Sequence, residues 1–136
     1  MAVSSWFPTD NEYIHWRIEA VVNSQSMQDN TSNVTVRVFV ARTNSYVPGT
    51  QGHGTTYATI NGSSYSEYHN HVDEDIFITR SGLYMFTQNV TVPHDADGTK
   101  TLTITANINY SRFTATDQTY TLALPAIIRA TVPALS

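Results

Sequence analysis

Two-residue alternation of apolar and polar side chains runs through most of this chain, and it leaves few folds open. From Ile14 onward, Ile14, Trp16, Ile18, Ala20 and Val22 alternate with His15, Arg17, Glu19 and Val21. Val34, Val36, Val38 and Val40 alternate with Thr35, Arg37, Phe39 and Ala41. Leu102, Ile104, Ala106, Ile108 and Tyr110 alternate with Thr101, Thr103, Thr105, Asn107 and Asn109, and Tyr120, Leu122 and Leu124 repeat the pattern near the end. Successive side chains of a strand point to opposite faces, so each run predicts a strand with one face on a core and the other mostly in water. No stretch of comparable length has helical spacing.

Shorter strands are predicted between these. Residues 56–60 and 63–68 flank Asn61-Gly62, a pair that tolerates the positive φ angles of a type I′ hairpin turn. Residues 75–79 and 83–92 flank Arg80-Ser81-Gly82, a second hairpin signal. The run Pro93-His94-Asp95-Ala96-Asp97-Gly98 follows, in which Pro cannot donate to a ladder and Gly permits a left-handed exit. The stretch 44–54, with Pro48, Gly49, Gly52 and Gly54, reads as a loop that crosses between sheets. About eight strands with closely spaced turns predict an all-β chain, an antiparallel two-sheet β-sandwich of jelly-roll or immunoglobulin-like type over residues 1–124. Residues 125–136 lose the alternation and are expected to form a C-terminal extension or linker.

Composition agrees with exposed sheet. Charged residues are 13% of the chain, and their place is taken by 20 Thr, 12 Ser and 10 Asn. Thr, Val, Ile and Tyr suit a pleated surface, whereas the mixture is poor in helix formers. Seven basic and 11 acidic residues give a net charge of −4 with no basic stripe, so nucleic-acid binding lacks its main electrostatic term. The absence of cysteine excludes disulfides, thiol nucleophiles and thiolate metal sites. No apolar run approaches the roughly 20 residues that span a bilayer, so no membrane partner is expected. Residues 1–6 have neither a positive nor an apolar signal region, which predicts cytoplasmic synthesis without a signal peptide.

Few constellations carry chemistry. Asp95-Ala96-Asp97-Gly98 lacks the bidentate Glu of a calcium loop, since the twelfth position falls on Ala106, and reads as an Asp/Gly turn. If 69–75 is extended, His69, His71, Asp73 and Asp75 share one face, as ligands of a divalent metal would. Asn70, Val72 and Glu74 would then face a core that suits only Val72, so a solvated loop is favoured and no cofactor is expected. No nucleophile elbow is present, and nothing places a carboxylate pair such as Glu12 and Glu19 across a cleft, so the chain is expected not to be an enzyme. Aromatics outside the core pattern are the sharper feature. Tyr46, Tyr57, Tyr65, Tyr68 and Trp6 lie in or beside segments rich in Asn, Asp, Gln and Ser. Sugar rings stack their C–H faces on such aromatics while amides and carboxylates take the hydroxyls; tyrosines also favour sheet edges and subunit interfaces.

Three segments resemble a known family. Ser24-Gln25-Ser26-Met27-Gln28-Asp29-Asn30-Thr31-Ser32-Asn33-Val34-Thr35-Val36 resembles a stretch of minor structural proteins from tailed phages of Gram-positive hosts. Val90-Thr91-Val92-Pro93-His94-Asp95-Ala96-Asp97-Gly98-Thr99-Lys100-Thr101 resembles their Asp-Gly turn. Leu124-Pro125-Ala126-Ile127-Ile128-Arg129-Ala130-Thr131 is similar to their closing motif, with Ile128 where Pro is usual and Thr131 in place of Ser. The segments occur in the family's order and reach across nearly the whole chain. The resemblance implies a virion component of the tail tip, baseplate or adhesion device, of a kind that decorates the particle and touches host cell-wall carbohydrate. It implies structural roles for Asn30 and Ser32 as turn formers, Asp97-Gly98 as a hairpin turn and Arg129 as an anchor, and it brings no catalytic residue.

Residues and resemblance together predict a noncatalytic virion module whose partners are other virion proteins, further copies of itself and host cell-wall polysaccharide. Tyr46, Tyr57, Tyr65 and Tyr68 are the expected stacking platforms, with Asn61, Glu67, Asn70 and Asp73 near the hydroxyls. The alternative is a decoration, collar or tail-shell protein that acts by self-association and takes no ligand.

Overall fold

The structure is a computed structural model that describes residues 1–43, 52–71 and 82–128. Its strands are β1 (Ala2–Val3), β2 (Phe7–Pro8), β3 (Ile14–Ser26), β4 (Thr31–Arg42), β5 (Gly52–Ile60), β6 (Ser63–His71), β7 (Leu83–Pro93), β8 (Thr101–Tyr110) and β9 (Phe113–Ala123). One sheet has the order β1-β3-β4-β7, with β2 also on the β3 edge; the other has the order β6-β5-β8-β9. Every pairing is antiparallel. Among the described residues, the seven long strands therefore run 1-2-5 in one layer and 4-3-6-7 in the other. That is the immunoglobulin-like arrangement with its fourth strand moved to the edge of the second sheet, not a jelly roll. Among the described residues no helix is long and apolar enough to cross a membrane.

Alternation puts the core where it was expected. Trp16, Ile18 and Ala20 pair with Val40, Val38 and Val36 on the inner face of the first sheet, and all six are buried. Ala58 and Ile60 pair with Ala106 and Ile104 on the inner face of the second. The Asn61-Gly62 turn has φ of 50° and 85°, as a type I′ hairpin requires.

Three register shifts interrupt the pairing among the described residues: one leaves Asn23 of β3 extra against β4, and the other two redirect side chains. Between β4 and β7, Val38 pairs with Phe86 but Phe39 pairs with Tyr84, so the extra residue Met85 is buried together with Phe86. Between β8 and β9, Ala106 pairs with Gln118 but Ile108 with Ala115, which reverses the strand's parity. Phe113 and Ala115 face inward before this bulge, and Tyr120 and Leu122 lie against the core after it. The stretch 44–54 needs a correction: Gly52 and Gly54 belong to β5, not to the loop, and pair with His71 and His69. A side chain at 54 has no room, because its Cβ would lie 2.2 Å from the Asn109 carbonyl oxygen. Residues 44–51 and the expected strand at 75–79 lie outside the described residues.

The N-terminal segment completes the first sheet. The Ser4 amide donates to the Ile18 carbonyl and the Ser4 hydroxyl accepts from the Ile18 amide, at 2.8 and 2.9 Å. Farther on, Asp10 crosses to the second sheet, where its carboxylate accepts from the Thr114 amide and hydroxyl.

Candidate functional site

The outer face of the second sheet collects the features expected of a saccharide platform. On β5, His53, Thr55, Tyr57 and Thr59 project outward; β8 adds Asn109, Asn107 and Thr105 in register with Thr55, Tyr57 and Thr59. Tyr68, opposite Thr55 on β6, joins them. Tyr57 and Tyr68 are 44% and 58% exposed, large values for rings fixed on a strand. A depression of about 150 Å³ is lined by Tyr57, Thr59, Thr105, Asn107 and Asp117 among others. A second, of about 260 Å³, is lined by His53, Thr55, Tyr68, Asn109 and Ser111 among others. Asn107 donates to Asp117 at 2.7 Å, the Thr105 and Thr119 hydroxyls share a 2.9 Å bond, and the His53 and Tyr68 rings lie 6.4 Å apart. Among the residues that line the two depressions, Asp117 is the one carboxylate and none is Lys or Arg. The aromatics offer stacking, and the amides and hydroxyls offer both donors and acceptors.

The other residues expected at this site are dispersed. Tyr65 pairs with buried Ala58 and lies partly buried against the core, while it also borders the depression beside Tyr57. Glu67 is also inward: its Oε1 accepts from the Thr87 amide at 3.1 Å and its Oε2 meets His69 Nε2 at 2.6 Å. The same Nε2 lies 2.9 Å from the Met85 carbonyl, so it carries a hydrogen and donates. Glu67 and His69 thereby tie the β6 edge to β7 of the other sheet. Asn61 sits in the hairpin turn, Asn70 pairs through its backbone with His53, and His71 pairs with Gly52. Tyr46, Asp73 and Asp75 lie outside the described residues. Among the described residues no three His, Asp or Glu side chains converge as a metal site.

The three segments that carried the resemblance meet at one end of the sandwich. Buried His94 donates from Nδ1 to the Gly98 carbonyl at 2.7 Å, and its Nε2 takes a 2.6 Å bond from the Ser32 hydroxyl. Asn30, at φ 56°, donates to the carbonyls of His94 and Asp95. Gly98 turns the chain at φ 88°, and its carbonyl also accepts from the Ile127 amide at 2.9 Å. Asp97 accepts from the Thr99 hydroxyl and amide, bonds that hold its carboxyl below the usual range. Gln25 links Ser32 to the Pro125 carbonyl. Every partner here is a turn backbone or a neighbouring side chain, as befits an architectural knot. Residues 124–128 lie against it, with Leu124 and Ile127 buried; Arg129 is outside the described residues.

The outer face of the first sheet holds a cluster that sequence reading missed. Trp6 stacks on His15 with ring centroids 3.8 Å apart and planes 5° from parallel. The Arg17 guanidinium lies 4.7 Å from the Trp6 ring and donates through Nε to Glu19 at 3.0 Å. Tyr84 donates to the other Glu19 oxygen at 3.1 Å, leaving a carboxylate only 1% exposed on what alternation marks as a solvent face. Burial, and then that hydrogen bond, raise the Tyr84 phenol above its ordinary value; burial, and then Arg17, lower the His15 imidazole. Trp6 stands out as an aromatic outside the core pattern, but the further signal is Phe39, an aromatic at an outward position between Arg37 and Ala41.

A family model described as "Siphovirus protein of unknown function (DUF859)" matches residues 7–133. No curated protein and no solved structure matches the chain.

Proposed function

Because this chain belongs to that siphovirus family, we propose that it is a noncatalytic module of the virion, in the tail, baseplate or adhesion device, that holds host cell-wall saccharide on the outer face of its second sheet. The observation that carries this reading is the pair of exposed rings, Tyr57 and Tyr68, on one sheet face beside Asn107, Asn109 and Asp117. Two depressions on one sheet face suit a sugar chain laid across the strands. Each ring covers one apolar sugar face, and the amides and hydroxyls exchange hydrogen bonds with the sugar's own. Strand pairing fixes the backbone beneath both rings, so binding has only the two torsions of each side chain to order.

Calorimetric titration with purified cell-wall polysaccharide tests the reading. Tyr57→Ala and Tyr68→Ala are each expected to weaken binding by about tenfold, the loss of one stacking contact. Absence of binding, or binding indifferent to both substitutions, removes the saccharide role. An oligomer in light scattering that needs Tyr57, without saccharide affinity, gives the face to self-association instead.

A further inference from the structure

We propose that the outer face of the first sheet is a docking surface for a segment of another protein that carries a carboxylate beside an aromatic or aliphatic anchor. This face is opposite the saccharide platform and does not depend on it. Its aromatics form a row across the strands: Trp6 on the N-terminal edge, Phe39 on β4 at 6.1 Å, and Tyr84 on β7 at 5.0 Å from Phe39. Trp6 rests on His15 and Arg17 yet remains 41% exposed, as does Tyr84. Trp, Tyr and Arg are the residues that most often dominate protein interfaces. Here they are already ordered, because buried Glu19 holds Arg17 on one side and Tyr84 on the other. An anchor that meets fixed rings loses less entropy on docking than one that must order them.

Charge selects the occupant. Glu19 spends both oxygens on Arg17 and Tyr84, although Arg37 stands directly across from it in the β3–β4 register. The Arg37 guanidinium lies instead over the Tyr84 ring, 5.2 Å from its centroid, and the salt bridges among the described residues do not include it. In a chain of net charge −4, this face presents two guanidiniums over one hidden carboxylate. A second copy docked face to face would bring like charges together, which opposes association. An incoming Asp or Glu satisfies Arg37, and a neighbouring apolar side chain covers Trp6 and Phe39.

The probe is a set of overlapping synthetic peptides tiling the structural proteins encoded alongside this chain, read by surface plasmon resonance on the immobilised wild-type chain. The bound peptides are expected to carry Asp or Glu close to Trp, Phe, Tyr or Leu. Arg37→Glu should weaken them at least about tenfold and Arg37→Gln somewhat less, while exchanging the peptide's acid for Lys should restore binding to Arg37→Glu. Thermal unfolding of both variants checks that they are folded, and Thr103→Ala, an exposed position on the opposite face, should change affinity by no more than about twofold. Failure of every peptide to bind, or binding that survives Arg37→Glu and Trp6→Ala, overturns the proposal. So does a concentration-dependent dimer in sedimentation that Arg37→Glu abolishes, which would give the face to a second copy.

Discussion

Two left-handed glycines in this chain differ in what surrounds them, and the difference predicts a measurable gap in stability. Gly62, at φ 85°, sits in an open hairpin turn where an added Cβ meets nothing within 4 Å. Gly98, at φ 88°, lies beneath the C-terminal segment, and the same Cβ would fall 2.0 Å from the Ile127 carbonyl oxygen. Either Gly→Ala change costs about 1–2 kcal/mol for holding an L-residue in the left-handed region. At position 98 the clash must also push residues 124–128 away. That breaks the Ile127 amide bond to Gly98, worth about 1 kcal/mol net. It also exposes part of the Ile127 side chain, now 5% accessible, for a further 1–2 kcal/mol or so. Gly98→Ala should therefore be less stable than Gly62→Ala by about 2–3 kcal/mol, which at this chain length is a difference of roughly 10 °C in Tm. Urea unfolding followed by tryptophan fluorescence measures it, provided the m-values agree. Equal midpoints for the two variants would mean that the closing segment does not bear on the turn, and the account of the knot would fail.

Glu19→Ala should cost about 2 kcal/mol in the same assay, because it removes the charged acceptor of the Arg17 and Tyr84 hydrogen bonds while leaving both donors within reach of water; a loss under 1 kcal/mol would show the carboxylate to be hydrated in solution. His15 has its pKa lowered from 6.5 by burial and then by Arg17, so the unfolded chain takes up that proton first as the pH falls. Stability should be level with respect to this group above pH 6.5 and decline below it, and His15→Gln should remove that part of the decline; an unchanged acid profile in the variant would locate the effect elsewhere.

What was legible in the sequence was whatever one strand decides alone. The inward faces of β3, β4 and β8 follow from alternation, and the β5–β6 hairpin follows from Asn61-Gly62, whose φ angles no other common pair adopts as readily. What was hidden depends on a second strand. Tyr65 is flanked by Ser64 and Ser66, so nothing local says which way it points; pairing with Ala58 turns it inward, and Glu67 and His69 follow by parity. The bulges that bury Met85 beside Phe86, and that reverse the parity of β9, add one residue to a pattern whose period is two. Glu19 was assigned to solvent because its cover comes from Arg17 and Tyr84, the latter 65 residues away. Gly52 and Gly54 looked like loop because glycine weakens a strand, yet pairing on both sides of Gly54 outweighs that preference.

The residues that made the family recognisable and the residues proposed to bind belong to different parts of the molecule. Asn30, Ser32, His94, Gly98 and Ile127 close one end of the sandwich through buried or backbone-directed bonds, so changing any of them costs stability before it alters a surface. Tyr57, Tyr68, Asn109 and Asp117 stand on the outer face of the second sheet, where substitution away from caps and cores usually shifts stability by no more than about 0.5 kcal/mol. A sandwich of this kind can thus exchange one recognition face for another while its strand order stays fixed. Glu19 is the exception on the outward positions: buried under Arg17 and Tyr84, it makes the first sheet's aromatic row part of the stable framework. The two outer faces therefore differ in kind. On the second sheet the exposed residues can be changed one by one at little cost in stability; on the first, the buried carboxylate ties the aromatic row to the fold, which would register its loss.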